Sequence, residues 1–114
     1  MHGFCHFEIP TTDASKSKIF YSKVFGWRID ESTPDYLMFS TPDDEGGGFT
    51  TSSKPTKDGI VLYIAVEDID KKLTEIEAAG GKIIKSKAGI SPEFGFYGLF
   101  TDPCGNIMGL WGKQ

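Results

Sequence analysis

Histidine is scarce in this chain. Of 114 residues two are histidines, and His2 stands beside the N-terminus, where a solvent-exposed side chain is the expectation. Too little material remains for a Ser/His/Asp set or an activated cysteine. Cysteine is as rare: Cys5 and Cys104 are too few for a disulfide framework and point to a reducing setting. Cys5 lies in a strand pattern and is expected to be buried, Cys104 in a turn and exposed. No apolar run approaches the ~20 residues of a membrane span, and no signal-peptide pattern stands at the start. The expectation is a cytoplasmic protein with no membrane partner. Positive charge is also short, with 12 Lys and Arg against 16 Asp and Glu and a net charge of −4. That balance argues against a nucleic-acid partner, which needs a concentrated basic surface. Gly46-Gly47-Gly48 lacks a following Lys-Ser/Thr and opens no helix, so it reads as turn and strand start rather than a phosphate loop.

Aromatic residues are well supplied: nine Phe, four Tyr and two Trp, enough for a core or an apolar pocket. The length fits one compact domain or two small modules sharing a core. Residues 4–10 alternate as a strand closed by Pro10, with Phe7 and Ile9 on one face and Phe4, His6 and Glu8 on the other. Asp13 reads as a helix N-cap, and Ser17, Phe20, Tyr21 and Val24 form one face of a helix from about Ala14 to Phe25, ended by Gly26. Strands are expected near 27–31, 36–41 and 47–52, with turns at Thr33-Pro34-Asp35 and over 42–46. The polar stretch 52–58, with Pro55, reads as a linker too short to separate independent domains.

The second half repeats the first. A strand over 59–67 leads to the N-cap Asp68 and to a helix whose inner face carries Ile69, Leu73 and Ile76, ended by Gly80-Gly81. Strands follow near 82–85, 97–101 and 107–111, the last pair joined by the turn Asp102-Pro103-Cys104-Gly105-Asn106. The stretch 85–96 reads as a long mobile loop, a candidate lid. Asp13 recurs as Asp68, Ile9 as Ile64, Tyr21 as Ile76 and Gly26 as Gly81 at one constant offset. Internal periodicity of this kind outranks the reading of any single element. The expected fold is α+β: two tandem βαβββ modules, 4–53 and 59–112, forming a curved mixed sheet around a cavity within a single domain. One helix covers one face of a four-stranded sheet, so each other face must meet its counterpart, a partner chain or a ligand.

The segments 6–10, 20–27, 66–70, 80–82 and 102–111 resemble the glyoxalase/bleomycin resistance/extradiol dioxygenase superfamily, also called vicinal oxygen chelate. The likeness spans nearly the whole chain. It implies His, Gln or Glu metal ligands on the first and last strands of each module. Here His6 occupies the first-strand position, but its counterpart is Val61, the last-strand carboxylate falls at Gly109, and Gly46 to Thr50 offer no carboxylate. With one usual position of four filled, no metal cofactor is expected, although a divalent ion held by His6 and Glu8 stays open. The concave-face candidates are Phe4, His6, Glu8, Val61, Tyr63, Ala65, Ile107 and Trp111. Of these His6, Glu8, Val61, Tyr63, Ile107 and Trp111 are expected to bind a small, partly apolar molecule. His6 and Glu8 are also the candidate catalytic pair of an alternative, a metal-dependent lyase or dioxygenase. Tyr63 and Trp111 have a plainer reading as packing residues, and His6 as a structural histidine bonded to Glu8 or to a neighbouring strand. The resemblance further implies a two-fold homodimer.

Overall fold

The computed structural model describes residues 2–31 and 35–114. The expected turn residues Thr33 and Pro34 lie outside the described residues. In order, the elements are β1 (Phe7–Pro10), α1 (Ala14–Phe25), β2 (Arg28–Asp30), β3 (Tyr36–Ser40), β4 (Gly46–Thr50), β5 (Leu62–Ala65), α2 (Ile69–Ala78), β6 (Lys82–Ser91), β7 (Gly95–Thr101) and β8 (Ile107–Gly112). Two compact units, Met1–Pro55 and Thr56–Gln114, meet within the polar stretch read as a linker. Each unit is one βαβββ module with its own mixed four-stranded sheet, ordered β1-β4-β3-β2 in the first and β5-β8-β7-β6 in the second.

In the first unit the Asp13 carboxylate accepts from the Lys16 amide, satisfying a donor that the helix start leaves without a partner. Gly26 closes α1 in the left-handed region at φ 71°. The face of α1 carrying Ser17, Phe20, Tyr21 and Val24 is buried. It meets an aromatic column in which Tyr21 stacks on Trp27 and Trp27 on Phe39, with ring centroids 4.7 Å apart in both pairs. Phe39 and Phe49 continue it at 5.0 Å. Fully burying a large apolar side chain contributes roughly 1.5–3 kcal/mol, so this column is a substantial part of what holds the unit together.

The second unit repeats the scaffold with aliphatic material. Asp68 caps α2 by accepting from the Lys71 amide, and Ile69, Leu73 and Ile76 are buried beside Phe100, Met108 and Leu110. The small Gly98 and Gly112 of β7 and β8 lie under Ile69, which lets the helix approach the sheet closely. In the turn before β8, the buried Asp102 carboxylate accepts from the amides of Cys104 and Asn106 and from the Asn106 side chain. Gly105 takes the left-handed conformation at φ 100°.

Four expectations are corrected. The stretch read as a mobile loop is the end of β6 and a hairpin into β7, pairing Ala88 with Tyr97 and Gly89 with Phe96. Register shifts between Ile83 and Lys85, Lys85 and Ala88, and Gly89 and Ser91 break the two-residue alternation that marks a strand in sequence. Lys82, Lys85 and Lys87 lie along this edge strand, where charge discourages pairing with another chain. Cys5 is exposed rather than buried, because β1 begins only at Phe7. Cys104 is half-buried, not exposed, since the Asp102 carboxylate draws its amide into the turn. Gly46, expected in the turn, is the first residue of β4, and Gly47 and Gly48 lie in that strand as expected.

Candidate functional site

On each sheet the helix covers one face, and the candidate residues lie on the other. In the first unit this second face carries His6, Glu8, Tyr36 and Met38. Tyr36 was not singled out by sequence, yet it joins the two candidates that were. Its hydroxyl lies 2.6 Å from Nε2 of His6 and donates to Oε2 of Glu8 at 3.0 Å. A phenol has one proton. With that proton directed at Glu8, the short contact to His6 is made by an Nε2–H donating to the Tyr36 oxygen. The result is a directed chain from imidazole through phenol to carboxylate. Partial burial raises the Tyr36 pKa above the ordinary phenol value, helped by its hydrogen bond to Glu8 and by that carboxylate's charge.

The same face of the second unit is apolar. Tyr63, Ile90, Tyr97 and Trp111 line an open pocket of about 460 Å³, within the ~300–1,000 Å³ usual for small-molecule sites. The Trp111 indole N–H donates to the Phe94 carbonyl at 2.7 Å. That bond satisfies its one donor and fixes the ring from the β6–β7 hairpin. Tyr63 and Tyr97 stand with ring centroids 6.5 Å apart, and Nζ of Lys85 lies 5.9 Å from the Tyr97 ring. Of the residues expected here, Tyr63 and Trp111 line the pocket. Val61 precedes β5, and Ile107 is buried with its amide bonded to the Thr56 carbonyl; neither is a lining residue. Phe4 and Ala65 are exposed and do not line it either. Ile90 and Tyr97 were missed. The signal for Tyr97 was its two-residue spacing from Leu99 on β7, the neighbour of the strand bearing Trp111. Ile90 was hidden by the bulges of β6.

The two faces correspond strand by strand. Glu8 pairs with Gly48 and Tyr63 with Gly109; Tyr36 pairs with Thr50 and Tyr97 with Trp111. Both glycines act as seats for a phenol ring. A Cβ on Gly48 would fall 2.2 Å from the Tyr36 ring, and one on Gly109 2.4 Å from the Tyr63 ring. No real Cβ contact is that short, so the glycines are required by the close approach of the rings. At the position where the resemblance implies a carboxylate, the space is therefore filled by an aromatic ring.

The chain matches the family model for the glyoxalase/bleomycin resistance protein/dioxygenase superfamily over residues 3–110. It belongs to that family. The Mycobacterium bovis protein CFP32, which bears a glyoxylase name, is 27% identical over 113 residues, covering 91% of this chain but 43% of the relative. The chain thus spans less than half the length of the curated relatives it matches. Among solved structures, a family enzyme from Burkholderia phytofirmans superposes with a TM-score of 0.80 at 21% identity, covering 96% of this chain and 98% of the other. TnmS3, an antibiotic binding protein from Streptomyces sp. CB03234, gives 0.73 at 18% identity, covering 100% and 98%. At these identities the structural matches establish the fold and leave activity to the site.

The family implies a metal ion, and the donor set does not fit one. With the Tyr36 proton on Glu8, Nε2 of His6 serves as the donor to the phenol, which leaves Nδ1 and the second Glu8 oxygen as two ligand atoms, short of the three that such a site uses. Oε2 of Glu8 already accepts from the same phenol. Gly48 and Gly109 offer no donor. Among the described residues no three His, Cys, Asp or Glu side chains are grouped as a metal site would require.

Proposed function

We propose that this protein is a binding member of its family, holding a small, partly apolar molecule on the aromatic face of its second unit without the family's usual metal. The observation that carries the proposal is the pocket of Tyr63, Ile90, Tyr97 and Trp111. Three ring faces and an aliphatic wall supply apolar area, while the Trp111 donor is already satisfied, so desolvating that face on binding leaves no buried N–H without a partner. Half-exposed, preset rings lose little side-chain freedom when a ligand arrives, which favours binding at modest area. The antibiotic-binding relative TnmS3 shows that the fold accommodates such a role elsewhere. Transformation of the ligand forms no part of the proposal.

Calorimetry with 1-naphthol as an apolar aromatic probe tests it. Saturable binding to the wild-type chain that weakens at least ten-fold in Trp111→Ala is expected. Absence of binding by the wild-type chain, or equal binding by the variant, rejects the pocket as the site.

The competing idea, a metal-dependent lyase or dioxygenase built on His6 and Glu8, needs either Tyr36 to release Nε2 and Oε2 or an ion held through Nδ1 and Oε1 with no third side-chain ligand grouped beside them among the described residues. Stoichiometric transition metal in protein purified without chelator, lost in His6→Ala, would revive it.

A further inference from the structure

We propose that the His6–Tyr36–Glu8 face of the first unit is a second binding site, selective for a small cation bearing N–H donors, of the amidinium or guanidinium kind. Because the Tyr36 hydroxyl donates to Glu8, His6 directs Nε2–H at the phenol. In the neutral imidazole this leaves Nδ1 as an acceptor. Glu8 keeps Oε1, and a carboxylate has capacity for further donors beyond the one Tyr36 supplies. The groups offered to a ligand are thus all acceptors, and one of them is charged.

Two further observations point to a cation rather than a neutral donor. Glu31 and Glu75 pair with Lys18 and Lys72, whereas Glu8 forms no ion pair with a lysine or arginine among the described residues. The third wall is the Tyr36 ring, whose face attracts positive charge. That ring is preset. It rests on the Gly48 backbone, where a Cβ would fall 2.2 Å from it, and its hydroxyl is held from both sides. His6 lies parallel to it, with an interplanar angle of 8° and centroids 6.2 Å apart. A planar N–H cation meets a carboxylate through charge-assisted hydrogen bonds, the strong class, and also stacks on aromatic faces. An anion would meet the Glu8 charge and no donor.

The site is tested with probes that have no ring. Acetamidinium, acetamide and acetate share a shape and differ in charge. Each is titrated at pH 8 into the full chain while the ring signals of His6 and Tyr36 are followed by NMR, with the Trp111 indole N–H as the reporter of the other face. The expected result is saturable shifts of His6 and Tyr36 with acetamidinium alone, a silent Trp111 signal, and affinity reduced about ten-fold or more in Glu8→Gln through loss of a charged hydrogen bond. Tyr36→Phe, which removes the clamp while keeping the ring, weakens binding to a smaller degree. Shifts produced equally by acetate or acetamide, or acetamidinium binding unchanged in Glu8→Gln, overturn the proposal.

Discussion

The two units share one scaffold and carry opposite chemistry on the face that the helix leaves uncovered. In the first, Glu8 stands where the second has Tyr63, His6 where it has Val61, and Thr50 where it has Trp111. One face is a chain of proton donors and acceptors; the other is a set of rings. The buried faces diverge in the opposite sense, aromatic in the first unit and largely aliphatic in the second. What stays constant is the framework: the aspartate N-caps, the strand order, and a glycine beneath a tyrosine ring. A duplicated backbone therefore fixes where side chains are presented, and the residues at each presented position decide the chemistry independently in the two copies.

That comparison can be broken first at the buried faces. Tyr21→Ala removes the middle of the aromatic column and should cost about 3–5 kcal/mol, whereas Leu73→Ala on the aliphatic side costs about 2–5 kcal/mol. Urea unfolding measures both. Equal and small losses would show that neither face carries its unit. The glycine seats come next. Gly109→Ala forces Tyr63 off its seat and should destabilise by about 1–3 kcal/mol, with weaker binding of 1-naphthol. Gly48→Ala should destabilise similarly while abolishing the His6–Tyr36 contact and sparing the pocket. A variant at either position with unchanged stability and unmoved ring signals would contradict the seat.

Titration sharpens the polar half. Tyrosine absorbance should show Tyr36 ionising at higher pH than an ordinary phenol, and Glu8→Gln should bring it down. The sign follows from linkage: the folded pKa is raised, so the contribution to stability is full below the unfolded phenol value of ~10 and is lost as pH rises through the folded value. Stability that increases above that pH would count against the Tyr36–Glu8 bond. The smallest effects test the shared framework. Asp13→Ala and Asp68→Ala should each cost about 1 kcal/mol by thermal unfolding, equally in the two units.

Much of the fold was readable from sequence because it rests on local rules. The helix over Ala14–Phe25 was bounded by an N-cap and a left-handed glycine, and its buried face followed from the 3.6-residue period. The repeat located the second helix by the same features. The β6 strand was not readable, since three register shifts hide its alternation, and its expected role as a lid fell with it. At the site, His6, Glu8, Tyr63 and Trp111 were named from alternation, but which of them meet was not. Tyr36 lies on β3, with β4 between it and the strand of Glu8, and its contact with Glu8 depends on the β4 register and on Gly48 having no side chain. The glycines show the gap most clearly: sequence gave an absent carboxylate, and the fold fills its place with a ring.

Light scattering bears on the expected homodimer, which should give twice the 12.5 kDa chain mass; a mass of one chain at micromolar concentration would remove it. The most direct measurement is calorimetric titration of 1-naphthol into protein stripped of metal with EDTA, compared with the same protein supplied with excess divalent ions. The account predicts saturable binding with the same affinity in both. Binding that appears only when metal is restored would contradict it.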